Sequence, residues 1–301
     1  MKLKIEEILK LTQDQLLDFC CQELLKRKYE VQDIIYTKDY LYATGKIPIL
    51  LVAHTDIVHK APPKLIVKDT KQKVLWSPTG IGGDDRCGVY AILKICEKFK
   101  PYVLFTTQEE VGGLGAKKFV EDIESLPVNF IIEIDRRGNE QVVFYDCGNK
   151  EFQKYIQNFG FNLQYGSYSD VSTLSTNYDV AGCNVSAGYY NEHTTTEHIY
   201  MNHLWNSIYK IIDILKDKEH HKFYDCQEVV YEPKKYNWKD YYDEYYDTKE
   251  LEEEMAWEDK IQEVEDDWYI LTDKQWEVKY KCKRPLNYYD IYDMEELLYV
   301  D

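Results

Sequence analysis

Residues 47–56 read Ile47-Pro48-Ile49-Leu50-Leu51-Val52-Ala53-His54-Thr55-Asp56. The run 47–53 is apolar without alternation. A strand with one face in water would alternate, so this one is expected to lie in the middle of a sheet covered on both sides. It then stops at an imidazole and a carboxylate. Comparable apolar runs recur at "YVLFTT" (102–107), "VNFIIEID" (128–135) and "CNVSAG" (183–188).

Helical spacing fills the intervals. Val89, Ile92, Leu93 and Cys96 mark a helix from Asp85 to Phe99. "GLGAKKFVED" and "KEFQKYIQNF" give two more, a long helix is expected from Glu197 to about Lys216, and residues 5–27 give a helix restarted by Thr12 or Asp14. Residues 60–80 read as loop with an edge hairpin. Buried strands alternating with helices predict an α/β three-layer sandwich with a mainly parallel, mixed sheet flanked by helices. In open sheets of that kind, sites form at the carboxyl ends of the strands.

Polar residues do gather there. His54-Thr55-Asp56 follows the first run, Gln108-Glu109-Glu110 and Val111-Gly112-Gly113 the second, and Asp135 ends the third. "YYNEHTTTEH", with His193, follows the fourth, and "GGDDRCG" (82–88) opens a helix. Imidazole and carboxylate together suit zinc or a similar divalent ion. His54 and Asp56, two apart, project to one side of an extended segment, so Asp56 can orient the histidine's second ring nitrogen. Adjacent Glu109 and Glu110 can share a site only where the strand has ended. One could then bind metal while the other handles protons.

"HTD", "GGDDRCG", "TTQEEVGGLGA", "EIDRRG" and "GYYNEHTTTE", in this order over residues 40–200, resemble the co-catalytic zinc exopeptidases, a clan that includes leucyl, deblocking glutamyl and tripeptide aminopeptidases. The resemblance implies a two-zinc peptide hydrolase, with manganese or cobalt able to use the same ligands. Position by position it implies His54 and Asp135 on one metal, Glu110 and His193 on the other, and Asp84 bridging both. Asp56 would steady His54, and Glu109 would be general base and acid. Two zinc ions against three carboxylates leave one positive charge, which a bridging hydroxide would cancel. The residues alone leave open whether Asp84 or Asp85 bridges, since an aspartate before a helix is also an ordinary cap. His198 is the rival to His193, and His59 is read as exposed loop. Tyr189 or Tyr190 is a donor candidate or pocket wall, and Arg86, Arg136 and Arg137 are read as ion-paired with nearby aspartates. The intervals His54–Asp84 and Asp135–His193 hold no spare domain, so the catalytic part is expected to lack a lid insertion.

With 301 residues, 44% of them apolar, the chain can bury a real core. No window approaches the roughly 18 apolar residues of a membrane span, and the start "MKLKIEEILK" is not a signal peptide. Eight cysteines without a CxxC suggest buried thiols in a reducing compartment, hence a cytoplasmic protein without a membrane partner. A net charge of −17 argues against nucleic-acid binding through phosphates.

The charge is uneven, with 24 acidic and 11 basic residues in 222–301, alongside 13 of the 28 tyrosines. The sequence therefore divides into a catalytic domain, 1–216, and an acidic, aromatic-rich extension or accessory module, 222–301. In that module a helix is expected at 248–264 and two strands within 267–283. Alternatives stay open: a hydrolase of N-acyl amino acids or other small amides, or a binding protein whose module engages a basic partner.

Overall fold

The computed structural model describes residues 3–145 and 147–227, and four short strands within 262–299. The chain separates into two compact units, Met1–Val230 and Tyr231–Asp301. Among the described residues no helix is long and apolar enough to cross a membrane.

The first unit opens with α1 (Ile5–Leu9) and α2 (Gln13–Lys26). Thr12 starts α2: its hydroxyl accepts from Gln15 N–H, and the Gln15 side chain accepts from Thr12 N–H in return. There follow β1 (Ile34–Tyr36), β2 (Tyr40–Ala43), β3 (Ile47–His54), the hairpin β4 (Val67–Asp69) and β5 (Val74–Trp76), and α3 (Gly83–Ile95). Next come β6 (Pro101–Thr106), α4 (Leu114–Asp122), β7 (Phe130–Arg136), β8 (Gln141–Val143), α5 (Lys150–Gln157) and β9 (Asn162–Leu163). The last elements are α6 (Asp170–Tyr178), β10 (Gly182–Ser186), β11 (Tyr189–Tyr190), β12 (His198–Tyr200) and α7 (Met201–Lys216).

Eight strands form one sheet in the order β1-β2-β6-β3-β7-β10-β8-β9. Its centre, β6-β3-β7-β10, is parallel, and β2 and β8 flank it antiparallel. Strand β3 shows why residues 47–53 lack alternation. Ile49, Leu51 and Ala53 join the core under α1, α2, α3, α5 and α7, while Leu50 and Val52 join the core under α4 and α6. All five are fully buried, and each large one contributes about 1.5–3 kcal/mol relative to exposure. This is the three-layer α/β sandwich.

The interval between β3 and α3 holds the β4–β5 hairpin, which pairs with β12 and β11 as a second, four-stranded antiparallel sheet. The long helix therefore starts at Met201 rather than Glu197, because 198–200 pair with β5 as strand. Helix α6 has no strong signal in "DVSTLSTNY", which is rich in β-branched and hydroxyl residues. It is held by burial of Val171 and Leu174 against the sheet. After α7, residues 218–221 form a single 3₁₀ turn, and the chain stays packed on the same unit. Tyr224 is buried, its N–H donating to Asn129 O and its carbonyl accepting from Ala181 N–H.

In the second unit the described strands, β13 (Gln262–Glu263), β14 (Tyr269–Asp273), β15 (Val278–Cys282) and β16 (Leu298–Tyr299), form an antiparallel sheet in that order. The helix expected at 248–264 lies outside the described residues except at Gln262–Glu263, which are strand.

Candidate metal centre

Strand β3 ends by delivering His54, 1% exposed, to the carboxyl edge of the parallel strands. Its Nδ1 lies 3.2 Å from Asp56 Oδ1. Asp56 also accepts the backbone N–H groups of Glu109 and Glu110, each at 3.1 Å, so one carboxylate ties the end of β3 to the end of β6. Gln108 takes a left-handed backbone, φ 57°, which breaks the strand before the glutamates. Below them Gly112 and Gly113 N–H close a turn onto Glu109 O.

Asp84 sits at the start of α3 but outside its helical geometry, at φ −78° and ψ 110°. Its Oδ1 is 3.1 Å from His54 Nε2, and its Oδ2 is 3.2 Å from His193 Nε2. Asp135 Oδ1 lies 3.5 Å from His54 Nε2, and Glu110 Oε1 lies 3.0 Å from His193 Nε2. The peptide bond from Asp84 to Asp85 is cis. Asp85, fully buried, points the other way, and its Oδ1 accepts Gly88 N–H at 3.0 Å, as an N-cap does. A Cβ on Gly88 would come within 2.2 Å of Ile134 O, so that position admits only glycine.

The ligand-type atoms of His54, Asp84 and Asp135 lie within 4.8 Å of one another, and so do those of Asp84, Glu110 and His193. Two such groups sharing one carboxylate match the donor chemistry of a pair of divalent ions. A third grouping, His54 with Glu109 and Glu110, puts Glu109 beside both.

So many acids in one buried place disturb one another. Burial raises Glu109 to about 8 and Glu110 to about 7, with Asp135 also raising Glu109 and Asp84 raising Glu110. Burial, with Asp84 adding to it, brings Asp135 to about 6. His193 is lifted to about 9 by its hydrogen bond to Asp84. Burial alone would raise Asp84, but His193 and His54 hold it well below the usual carboxylate range.

Several neighbours hold the cluster from outside it. Glu197, 1% exposed, accepts Gly82 N–H at 2.8 Å and Asp84 N–H at 2.9 Å, fixing the loop that carries Asp84. His59 is not a free loop residue: its Nε2 is 2.8 Å from Glu197 Oε2, and its ring occupies the space a Cβ on Gly80 would need. Tyr189 OH donates to Asp135 Oδ1 at 3.0 Å and Asp135 O at 2.9 Å, whereas Tyr190 turns away onto His203. Ser169 OH reaches Glu133 and Asp135, and Asn184 brackets the Asp135 backbone. His198 stacks on Tyr190 instead of joining the cluster. Arg86 is buried but reaches the carbonyls of Ile8 and Leu9 at the end of α1, not an aspartate. Arg137 pairs with Glu192 and Arg136 donates to Gln141. Glu197 had one available clue, as the glutamate closing "HTTTE".

No known sequence family matches the chain, and no curated protein matches it in sequence. Solved structures do match in shape. A tripeptidase from Staphylococcus aureus subsp. aureus Mu50 superposes with a TM-score of 0.57 at 13% identity, covering 70% of this chain and 96% of that one. An aminopeptidase PepT from Bacillus cereus gives 0.58 at 13% identity, covering 72% and 97%. An aminopeptidase from the archaeon Desulfurococcus kamchatkensis gives 0.54 at 16% identity, covering 75% and 97%. At these identities the likeness is one of fold.

Proposed function

We propose that the chain is a two-metal hydrolase of peptide bonds, acting as an aminopeptidase. The observation that carries this reading is the division of Asp84 between His54 and His193, with Asp135 completing one group and Glu110 the other. Zinc fits the donors, two imidazole nitrogens and three carboxylates, and manganese or cobalt can use them too. His54, Asp84 and Asp135 would hold one ion, and Asp84, Glu110 and His193 the other. Bound there, the ions would supply Lewis acidity, lowering the pKa of water toward about 7 and polarising a carbonyl.

The chain's own residues supply the rest. Glu109 is half-buried, and its backbone is pinned by Asp56 while its side chain faces the cluster. It would take the proton of the attacking water and hand it to the leaving amine. Asp56 keeps the His54 ring turned so that Nε2 faces inward, Glu197 keeps Asp84 in place, and Tyr189 does so for Asp135. The fold shared with a tripeptidase and two aminopeptidases supports a peptide substrate with a free amino terminus.

Metal analysis of purified protein, followed by a screen of free and N-acylated peptides, tests the reading. About two metals per chain and cleavage of free peptides that ceases on chelation are expected. Cleavage of N-acylated peptides alone would move the substrate to small amides, and protein that takes up no divalent metal would overturn the assignment.

A further inference from the structure

Away from the candidate metal centre, the turn between β8 and α5 meets the segment that follows α7. Gly148 N–H donates to Gln227 O at 2.6 Å, and Asn149 Nδ2 donates to Asp225 O and Oδ1 at 3.1 and 2.9 Å. These bonds hold residues 147–149, with Cys147, against residues 225–227, with Cys226. Both cysteines line one small cavity with Phe144, Val171 and Ser175. Cys147 is 2% exposed and Cys226 half-buried, and neither is in a disulfide. The neighbouring Cys226 side chain, with the backbone N–H groups of Asn149 and Gly182 adding to it against the opposing effect of burial, lowers Cys147 to about 7 and favours its thiolate.

We propose that Cys147 and Cys226 are a reactive dithiol, which a small disulfide of the glutathione type converts into an intramolecular disulfide. Cys226, the more accessible, loses its proton and attacks one sulfur of oxidised glutathione. A mixed disulfide forms, and the other half leaves as thiolate to take up that proton. The Cys147 thiolate then attacks the Cys226 sulfur, the Cys147–Cys226 bond forms, and the second glutathione leaves and is protonated. Two protein thiols are oxidised and one small disulfide becomes two thiols. The bond would staple the strip containing Tyr224, which lies across the starts of β7 and β10, to the β8–α5 turn. The first of these strands carries Asp135 near its far end, and the second carries Asn184 at its middle.

The test is incubation of the full chain with oxidised glutathione, alkylation of remaining thiols, intact mass and peptide mapping. A mass loss of about 2 Da with a Cys147–Cys226 cross-linked peptide is expected, with a melting temperature raised by roughly 5–15 °C for so long a closed loop. The variant C147S should stop at a glutathione adduct on Cys226, and C226S should leave position 147 unmodified. Wild-type protein that keeps a glutathione adduct, pairs other cysteines, or stays unmodified while C147S acquires its adduct would overturn the proposal. The cross-linked peptide is read in wild-type protein, so it does not depend on either variant folding.

Discussion

Asp84 divides its two oxygens between two histidines, Oδ1 at 3.1 Å from His54 Nε2 and Oδ2 at 3.2 Å from His193 Nε2, while its neighbour Asp85 bonds only inward, to Gly88 N–H. Under the proposed assignment the adjacent carboxylates have separable jobs. Asp84→Ala should lower bound metal from about two per chain to one or none and abolish hydrolysis, with little loss of fold. Asp85→Ala should retain the proposed metal ligands but lose a helix cap, costing about 0.5–2 kcal/mol. Metal content and thermal melting of the pair check this. Equal metal loss from both variants with unchanged melting would remove the distinction.

Glu109 shares a site with Glu110 but is held by its backbone, through Asp56, rather than by a histidine. Glu109→Gln preserves shape and removes the proton acceptor. Turnover should fall by about 10²–10⁴-fold, with metal content unchanged. Glu110→Gln should instead reduce metal content. Parallel kinetics and metal analysis separate the two roles, and an active Glu109→Gln enzyme would rule out Glu109 as the base.

At the proposed site, protons and divalent ions would compete for the same groups. Asp135 and Glu110, raised to about 6 and about 7, and His193, raised to about 9, must each give up a proton to become a ligand. Metal binding should therefore release protons at pH 7, and apparent affinity should rise as pH goes from 6 to 9. Calorimetric titration of chelator-treated protein in buffers of different ionisation heat measures that release. An affinity independent of pH across this range would mean that these side chains do not bind the metal.

The central strands were legible because burial on both faces leaves a composition mark, as in 47–53. The polar strand ends were legible because they interrupt that mark. What escaped was held by tertiary contact alone. Helix α6 has poor intrinsic propensity and forms because Val171 and Leu174 are covered by the sheet. Residues 198–200 continue the apolar pattern of α7, yet pair with β5, a partner more than a hundred residues away in sequence. Glu197 and His59 support Asp84 from separate loops, and no local pattern announces such a pairing.

That support gives the last prediction. Glu197 is buried, and its two oxygens are used on Gly82 N–H, Asp84 N–H and the His59 ring. Removing it would leave two buried N–H donors without acceptors, each costing about 1–3 kcal/mol, at the point where Asp84 must stay fixed. Glu197→Ala should melt several degrees lower and bind metal more weakly, by about 10–100-fold as for other residues that hold a ligand in place. Glu197→Gln keeps one acceptor oxygen and should fall between wild type and alanine in both measures. His59→Ala removes only the outer contact, so its metal affinity should stay closer to that of wild type. An alanine variant at 197 with unchanged metal affinity but reduced melting would show that Glu197 supports the fold without positioning Asp84.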